Sequence, residues 1–226
     1  MAAGDLLTRR VAGYPEAEPP WPLNVFATTG VGMMYALTNC TLYTGFEVLT
    51  GHALLIDGAY IRAIVPPADL PVECDRFDLQ GLQVSPGFID LQLNGCGGVM
   101  FNDAITASTL DTMHQTNLRS GTTNFLPTLI TTSDQDMQAA IAVVQHYQQQ
   151  QPTSVLGLHF EGPYLNPQRK GIHNGAYVRS PEAAMVAAIA AAGSDVVKLV
   201  TLAPEAVSPA TIRILCEAGI DRKSVV

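Results

Sequence analysis

The sequence is short of charge, and above all of positive charge. Of its 226 residues 14% are charged, and 12 Lys and Arg stand against 20 Asp and Glu, which gives a formal net charge of −8. The largest basic clusters are the pairs at 9–10, 169–170 and 222–223. Because nucleic-acid binding depends on neutralising phosphates, we expect no nucleic-acid partner. The composition does not exclude a small anionic substrate, which local groups would have to bind against the negative field of the whole chain.

Three further patterns are missing. No apolar run reaches the roughly 18 residues of a membrane span, and residues 1–13 lack the apolar core and cleavage site of a secretion signal. The four cysteines contain no CxxC pair, so we expect reduced thiols and neither a disulfide framework nor a zinc knuckle. Among the four, only Cys96 lies close to the polar segment 90–95, and a nucleophilic role for it would need a neighbouring base. These absences favour a cytoplasmic protein without a membrane partner.

Two short segments carry most of the functional information: 90–95 (DLQLNG) and 158–164 (LHFEGPY). Each is a β-type run that leads into polar side chains and a glycine turn. In the first, alternation places Asp90, Gln92 and Asn94 on one face of a strand. In a parallel α/β barrel, catalytic groups lie at the carboxyl ends of strands, and Glu161 follows that rule in the second segment. The alternative is that these polar residues only cap two strand-to-loop turns.

The chain changes character twice along its length. Residues 1–33 include a proline-broken stretch without periodicity, and we expect a non-native or disordered extension, with the natural start at Met33 or Met34; a genuine flexible arm is the alternative. Residues 34–84 read as short strands with an Asp57-Gly58 hairpin turn, a small β module. From residue 85, strands near 88–93, 123–129, 154–160 and 196–202 alternate with helices near 107–120, 133–150, 181–192 and 209–218.

Alternating strands and helices predict a parallel sheet with right-handed crossovers. A complete (β/α)₈ barrel takes about 250 residues, and residues 85–220 are about half of that. We therefore expect an α/β fold made of the first half of a TIM barrel after a small N-terminal β module.

Six short motifs together resemble the N-acetylglucosamine-6-phosphate deacetylase family of the amidohydrolase superfamily. They are SPGFID at 85–90, QLNG at 92–95, LPT at 126–128, HFEGP at 159–163, KGIHN at 170–174 and LAPE at 202–205. The resemblance covers residues 34–220 and implies a (β/α)₈ barrel with a small N-terminal β-sandwich module. It implies a metal-dependent hydrolase that removes the acetyl group of N-acetyl-D-glucosamine 6-phosphate and releases glucosamine 6-phosphate and acetate. It also implies a small sugar phosphate as substrate and a homo-oligomer for the full-length protein.

The resemblance also assigns roles to four residues. Many amidohydrolases carry His-x-His on the first barrel strand and bind two metals, whereas Gln92 and Asn94 hold those positions here. Neutral amides are poor zinc ligands, which matches a branch with one divalent ion, zinc first and iron or manganese as alternatives. Glu161 is then the metal ligand, and His173, Gln92 and Asn94 are substrate-binding residues.

The resemblance leaves the catalytic base and the histidine ligands downstream of Ile220, so we expect no catalytic residue in this chain. Residues 221–226 (DRKSVV) match the in-frame translation of a common sequencing-library adapter. We expect the reading frame to run from the gene into adapter sequence there; a frameshift or a naturally short protein is the alternative. The chain would then be a fragment that is inactive alone.

Other interpretations concern the remaining histidines and the activity. His159 shares a face with Glu161 and is expected to be a hydrogen-bonded core histidine, while His52, His114 and His146 fall in surface patterns. The competing functions are another metal-dependent amidohydrolase, such as a dihydroorotase-like ring opener or a different acylamino-sugar deacylase, and a non-catalytic fragment.

Overall fold

The structure is a computed structural model that describes residues 34–224. The predicted extension at 1–33 lies outside the described residues, as do the last two residues. The chain divides into two units, one up to Gly87 and one from Phe88. Each unit has its own core and is described by itself.

The first unit contains two small β-sheets. Its strands are β1 (Met34–Thr38), β2 (Thr41–Tyr43), β3 (Val48–Leu49), β4 (Ala53–Asp57), β5 (Tyr60–Val65), β6 (Asp75–Asp78) and β7 (Gln83–Val84). They form a four-stranded sheet in the order β5-β4-β1-β6 and a three-stranded sheet in the order β3-β2-β7. Gly58, with φ of +58°, makes the predicted tight turn between β4 and β5.

One apolar layer joins the two sheets of this unit. Leu37 and Leu54 from the larger sheet pack with Leu42 from the smaller one. A second cluster on the larger sheet includes Ala36, Ala53 and Leu55, which alternate with the first set along the strands. The unit is therefore a small β-sandwich, as the resemblance implied.

The second unit alternates strands and helices. The elements are β8 (Phe88–Leu93), β9 (Gly95–Cys96), β10 (Val99–Met100), α1 (Ala107–Leu118), β11 (Thr122–Ile130), α2 (Asp134–Gln150), β12 (Leu158–Glu161), α3 (Ala183–Val196), β13 (Val197–Leu202), α4 (Pro209–Glu217) and β14 (Asp221–Ser224). Short 3₁₀ turns occupy Pro67–Asp69 in the first unit, and Pro167–Arg169 and Pro204–Ala206 here.

Five of these strands form one parallel sheet in the order β14-β13-β12-β11-β8. Sequential neighbours joined by helices are the arrangement of the first half of a (β/α)₈ barrel, so the predicted fold class is confirmed. The segment predicted to be adapter-encoded supplies β14, which pairs with β13 from Leu199↔Asp221 to Leu202↔Ser224. Its origin stays a prediction.

The core of this unit lies between the sheet and its helices. Phe125, Phe160 and Val200 point from neighbouring strands into a cluster with Met113, Val144, Ile189 and Leu215 from the four helices. Because side chains alternate along a strand, the polar residues between these apolar positions face away from the helices. The sheet therefore presents Gln92, Thr128, His159, Glu161 and Thr201 on one face.

Two helices begin directly after serine N-caps, and one predicted helix start is wrong. Ser133 accepts a hydrogen bond from the backbone N–H of Asp136 at the start of α2, and Ser208 caps α4, with Pro209 in its first turn. The predicted start of α3 at Pro181 is wrong. That helix begins at Ala183 with Glu182 as its N-cap and no side-chain cap.

Two other observations bear on the sequence interpretation. His114 is buried at 3% exposure against Phe125, so its assignment to the surface is wrong. Its position on α1 faces the sheet because the adjacent Met113 and the following Asn117 lie on the same buried side. Within residues 34–224, no helix is both long and apolar enough to cross a membrane.

Candidate active site

Three of the predicted site residues meet at the carboxyl ends of β8 and β12. The Gln92 side chain donates from Nε2 to Oε1 of Glu161 at 2.9 Å, and Asn94 Nδ2 lies 3.5 Å from Oε2 of the same carboxylate. Two amides of the first strand thus approach both oxygens of one half-buried carboxylate. Asp90 takes no part, since its carboxylate accepts the backbone N–H of Gln92.

Buried hydrogen bonds between neighbouring strands hold β12 in place just before Glu161. His159 is fully buried two residues earlier on β12, with Nδ1 at 3.2 Å from the Thr128 hydroxyl and Nε2 at 2.8 Å from the Thr201 hydroxyl. Burial lowers the pKa of His159 to about 4, although the Glu161 carboxylate acts in the opposite direction. A neutral imidazole therefore links three adjacent strands, as predicted for a hydrogen-bonded core histidine.

His173 reaches the same region from the loop after β12. Its Nδ1 lies 2.8 Å from Oγ1 of Thr131, and that hydroxyl lies 3.3 Å from the backbone carbonyl of Glu161. His173 is thus connected to the backbone of Glu161 through one threonine and does not contact its carboxylate among the described residues. Thr131 follows directly after β11, so two strand ends and one loop meet at its side chain.

The loop that carries His173 is fixed at several points. The Arg179 guanidinium donates to the carbonyls of Thr132 and Tyr177, each at 2.7 Å, and forms a short ion pair with Asp134. Asn166 donates from Nδ2 to Glu205 at 2.9 Å. These contacts attach the loop to the segments that follow β11 and β13, and therefore hold His173 over the end of the sheet.

Lys223 adds a positive charge next to the first strand. Its Nζ lies 2.8 Å from Oε1 of Gln92, so the Gln92 amide donates to Glu161 and accepts from Lys223. The lysine lies in the segment that we expect to be adapter-encoded. We assign it no role for that reason.

The described residues do not complete a metal site by themselves. Within residues 34–224, no group of three or more His, Cys, Asp and Glu side chains is placed to hold an ion. Burial raises the pKa of the Cys96 thiol and Asp90 adds to that rise, while a hydrogen bond with Thr116 opposes it, and the net rise disfavours a nucleophilic role. Its Sγ contacts the Met113 carbonyl at 3.5 Å, which is the environment of a structural cysteine.

Sequence reasoning missed the hydroxyls and the arginine that hold this region together. Thr128 and Thr201 occupy alternate positions on strands that are otherwise apolar, which is a readable signal for a polar inner face. Thr131 directly follows the apolar end of β11 and could have been noted for the same reason. Arg179 carried no readable signal, because the partners that anchor the loop, Thr132 and Asp134, lie 47 and 45 residues away.

The comparisons with known proteins identify the class. Residues 34–84 match the family model described as the NagA composite domain, and residues 83–224 match the amidohydrolase family. The second match covers more than half of the chain, and the parallel half-barrel with polar strand ends agrees with it. The chain belongs to the amidohydrolase family.

Two relatives of this chain are named as deacetylases of amino-sugar phosphates. The N-acetylglucosamine-6-phosphate deacetylase of Haemophilus influenzae is 45% identical over 173 residues, which are 76% of this chain and 45% of that protein. The N-acetylgalactosamine-6-phosphate deacetylase of Shewanella sp. is 42% identical over 135 residues, 59% of this chain and 34% of that protein.

The crystal structure of N-acetylglucosamine-6-phosphate deacetylase from Pasteurella multocida superimposes with a TM-score of 0.82 at 45% identity, covering 85% of this chain and 50% of that one. The chain thus spans about half the length of the relatives it matches.

Proposed function

We propose that the protein from which this chain derives hydrolyses the N-acetyl group of N-acetyl-D-glucosamine 6-phosphate, giving glucosamine 6-phosphate and acetate. The observation that carries the proposal is the convergence of Gln92, Asn94 and Glu161 at two strand ends. The similarity to deacetylases of phosphorylated amino sugars extends through these motifs. In this proposal the 226 residues alone are inactive.

The amidohydrolase family is generally metal-dependent, and the residues of this site fit the role of one part of a metal centre. Glu161 supplies a half-buried carboxylate, a ligand that zinc, iron and manganese all accept. The two amides beside it are neutral and are weak ligands. We therefore propose that Glu161 is one ligand of a single divalent ion, with zinc preferred, and that histidines outside the described residues complete the set. When bound, such an ion polarises the amide carbonyl and makes water a stronger nucleophile.

The residues of this chain have separate tasks in that reaction. Gln92 and Asn94 hold the Glu161 carboxylate in one orientation, and the neutral His159 fixes the strand beneath it. His173 is proposed to bind a group of the sugar, since the anchored loop holds it at the same end of the sheet. The base that takes a proton from water and passes it to the leaving nitrogen is assigned to the remainder of the protein.

A closely related substrate is the strongest competitor. The Shewanella relative is named for N-acetylgalactosamine 6-phosphate, whose sugar differs in the configuration of one hydroxyl, and its 42% identity is close to that of the leading relative. Comparing kcat/KM for the two sugar phosphates on the complete gene product decides between them. Ring-opening amidohydrolases are disfavoured because Gln92 and Asn94 replace the first-strand histidines.

Two single substitutions in the complete gene product test the site assignment. Glu161→Gln keeps the shape but removes the negative charge, so we expect loss of most bound metal and most deacetylase activity. His173→Asn is the matched control: it should weaken substrate use and leave metal content nearly unchanged. Metal analysis of both purified variants provides the measurement. Equal metal loss in both, or full retention in Glu161→Gln, contradicts the assignment.

A further inference from the structure

We propose that Asn102, in the turn that follows β10, is a positioning residue for the Glu161 carboxylate. Its side-chain amide makes two hydrogen bonds to one residue: the Ile130 N–H donates to Oδ1 at 2.9 Å, and Nδ2 donates to the Ile130 carbonyl at 3.0 Å. Ile130 stands directly opposite Glu161 in the register of β11 with β12. This inference rests on the proposed function, in which Glu161 is a metal ligand, and deepens it.

The Asn102 amide occupies the place of a strand that ends too early. The register of β11 with β8 ends at Pro127↔Leu93, and the chain after β8 turns into the hairpin of β9 and β10. A half-buried N–H and carbonyl at Ile130 would lose hydrogen-bonding free energy if they had no partner. A side-chain amide has the same donor and acceptor as a peptide group, so Asn102 replaces the absent strand there.

The hairpin after Asn94 fixes the place of Asn102. The Phe101 N–H donates to the Asn94 carbonyl at 2.9 Å, and Phe101 is fully buried in the core. Gly95 allows the two hairpin strands to approach closely, since a Cβ there would lie 2.2 Å from the Val99 carbonyl oxygen. Asn102 is therefore held at the end of β8 through its neighbour in sequence, and at the end of β11 through its own side chain.

The effect reaches Glu161 through a single peptide unit. The Ile130 carbonyl and the Thr131 N–H belong to the same planar group, which is rigid. This group accepts from Asn102 on one edge of β11, and on the other edge it donates to the Glu161 carbonyl at 3.0 Å. Asn102 thereby fixes the separation between the Asn94 amide and the Glu161 carboxylate, which lie 3.5 Å apart.

The test uses two substitutions in the complete gene product. Asn102→Leu keeps a side chain of similar size but removes both hydrogen bonds, and Asn102→Asp keeps the acceptor but removes the donor. Gln148→Leu is the matched control, because the Gln148 amide also makes two bonds to backbone, to the carbonyls of Val155 at 3.2 Å and Asp195 at 2.9 Å. Those carbonyls precede β12 and β13, at the ends of these strands that lie away from Glu161.

The first measurement is the dissociation constant for zinc, obtained by competition with a chelator. Asn102→Leu should weaken zinc binding about tenfold, the lower end of the range for groups that orient a metal ligand from outside. Asn102→Asp should also weaken zinc binding, and the cause would be the lost donor, since an added negative charge favours a cation. Gln148→Leu should leave the zinc constant unchanged even where it lowers the thermal stability as much.

The second measurement is hydrogen exchange of the Thr131 N–H in metal-free protein, by mass spectrometry of peptides that span residues 129–133. Exchange should be faster in both Asn102 variants and unchanged in Gln148→Leu. Unchanged exchange in both Asn102 variants overturns the inference, as does equal zinc loss in Gln148→Leu, which would reflect general destabilisation. A parent protein that binds no zinc or does not deacetylate the sugar phosphate would instead refute the proposed function, since the exchange measurement needs neither metal nor turnover.

Discussion

The two amides on the first barrel strand determine how many metal ions we expect. By the resemblance, Gln92 and Asn94 hold the positions of the first-strand imidazoles of many amidohydrolases, and both turn amide donors toward Glu161. A second ion would have to replace these hydrogen bonds with neutral ligands that bind zinc weakly. The complete gene product should therefore contain one tightly bound metal per subunit by elemental analysis.

A double substitution to histidine also tests the predicted number of metal ions. Gln92→His with Asn94→His should add part of a second site, with incomplete occupancy because the surrounding hydrogen bonds that orient metal-bound histidines are missing. Two stoichiometric metals in the unmodified protein would show that Glu161 bridges two ions despite the amides.

Gly162 allows a second prediction at the residue scale. Its φ is +83°, and a Cβ would collide with Oγ1 of Thr131 at 2.2 Å. Gly98 has the same φ of +83° with nothing within 4 Å, so it is a matched control for the backbone cost alone. We expect Gly98→Ala to cost about 1 kcal/mol of stability and Gly162→Ala at least about 2 kcal/mol more.

Thermal unfolding of the complete gene product measures both variants. Gly162→Ala should also lower deacetylase activity, because it displaces the hydroxyl that supports His173. Equal destabilisation by the two substitutions would mean that the space beside Thr131 is not restrictive.

The sequence was sufficient to predict this arrangement of strand-end side chains because alternation is a local property. Gln92, Asn94 and Glu161 could be placed on inward faces from period-two patterns alone, and the structure brings them together as predicted. The contact between His173 and Thr131 could not be predicted, because it joins residues 42 positions apart and depends on how the loop folds back. Roles in substrate or metal binding stay predictions.

At the scale of elements, capping signals located most helix ends. Ser133 directly precedes the start predicted for α2, where it could be read as a cap because an N-cap acts on the N–H groups immediately after it. The Ser180-Pro181 pair carried the same signal, but α3 begins two residues after Pro181 with Glu182 as its cap. The strands β7 and β9 could not be predicted, since strands of two residues have no periodicity to detect.

The first turn of α2 yields a pH-dependent prediction. Hydrogen bonds from the hydroxyls of Thr132 and Ser133 lower the pKa of Asp136. Since the carboxylate is favoured in the folded protein, its contribution is present above its unfolded pKa near 4 and is lost as the pH falls through the lower folded pKa.

Ser133→Ala should thus lower stability by about 1 kcal/mol at pH 7, and Asp136→Asn should lower it in the same direction. Unfolding experiments at pH 7 and below pH 3 measure both effects. For Asp136→Asn the difference from the parent should shrink in acid. A difference that persists unchanged at low pH would mean that the Asp136 charge does not contribute.

At the scale of the whole molecule, the prediction concerns the 226 residues on their own. Within the described part of the chain, β8 and β14 each pair on one side only, so both ends of the sheet have unpaired backbone groups. Phe88, Ile89 and Leu91 on β8 are 68%, 54% and 58% exposed. Open, apolar strand edges favour association with other chains.

We therefore expect this 226-residue product to be inactive and poorly soluble, whereas the complete gene product should be soluble and active. Size-exclusion chromatography with light scattering, beside a deacetylase assay, compares the two. Ile89→Lys in the short product is the internal control: a charge on the open edge should raise the soluble fraction without restoring activity. A short product that is monomeric and unfolds cooperatively would show that the half-barrel closes its own edges, and deacetylation by it would place the missing base within these residues.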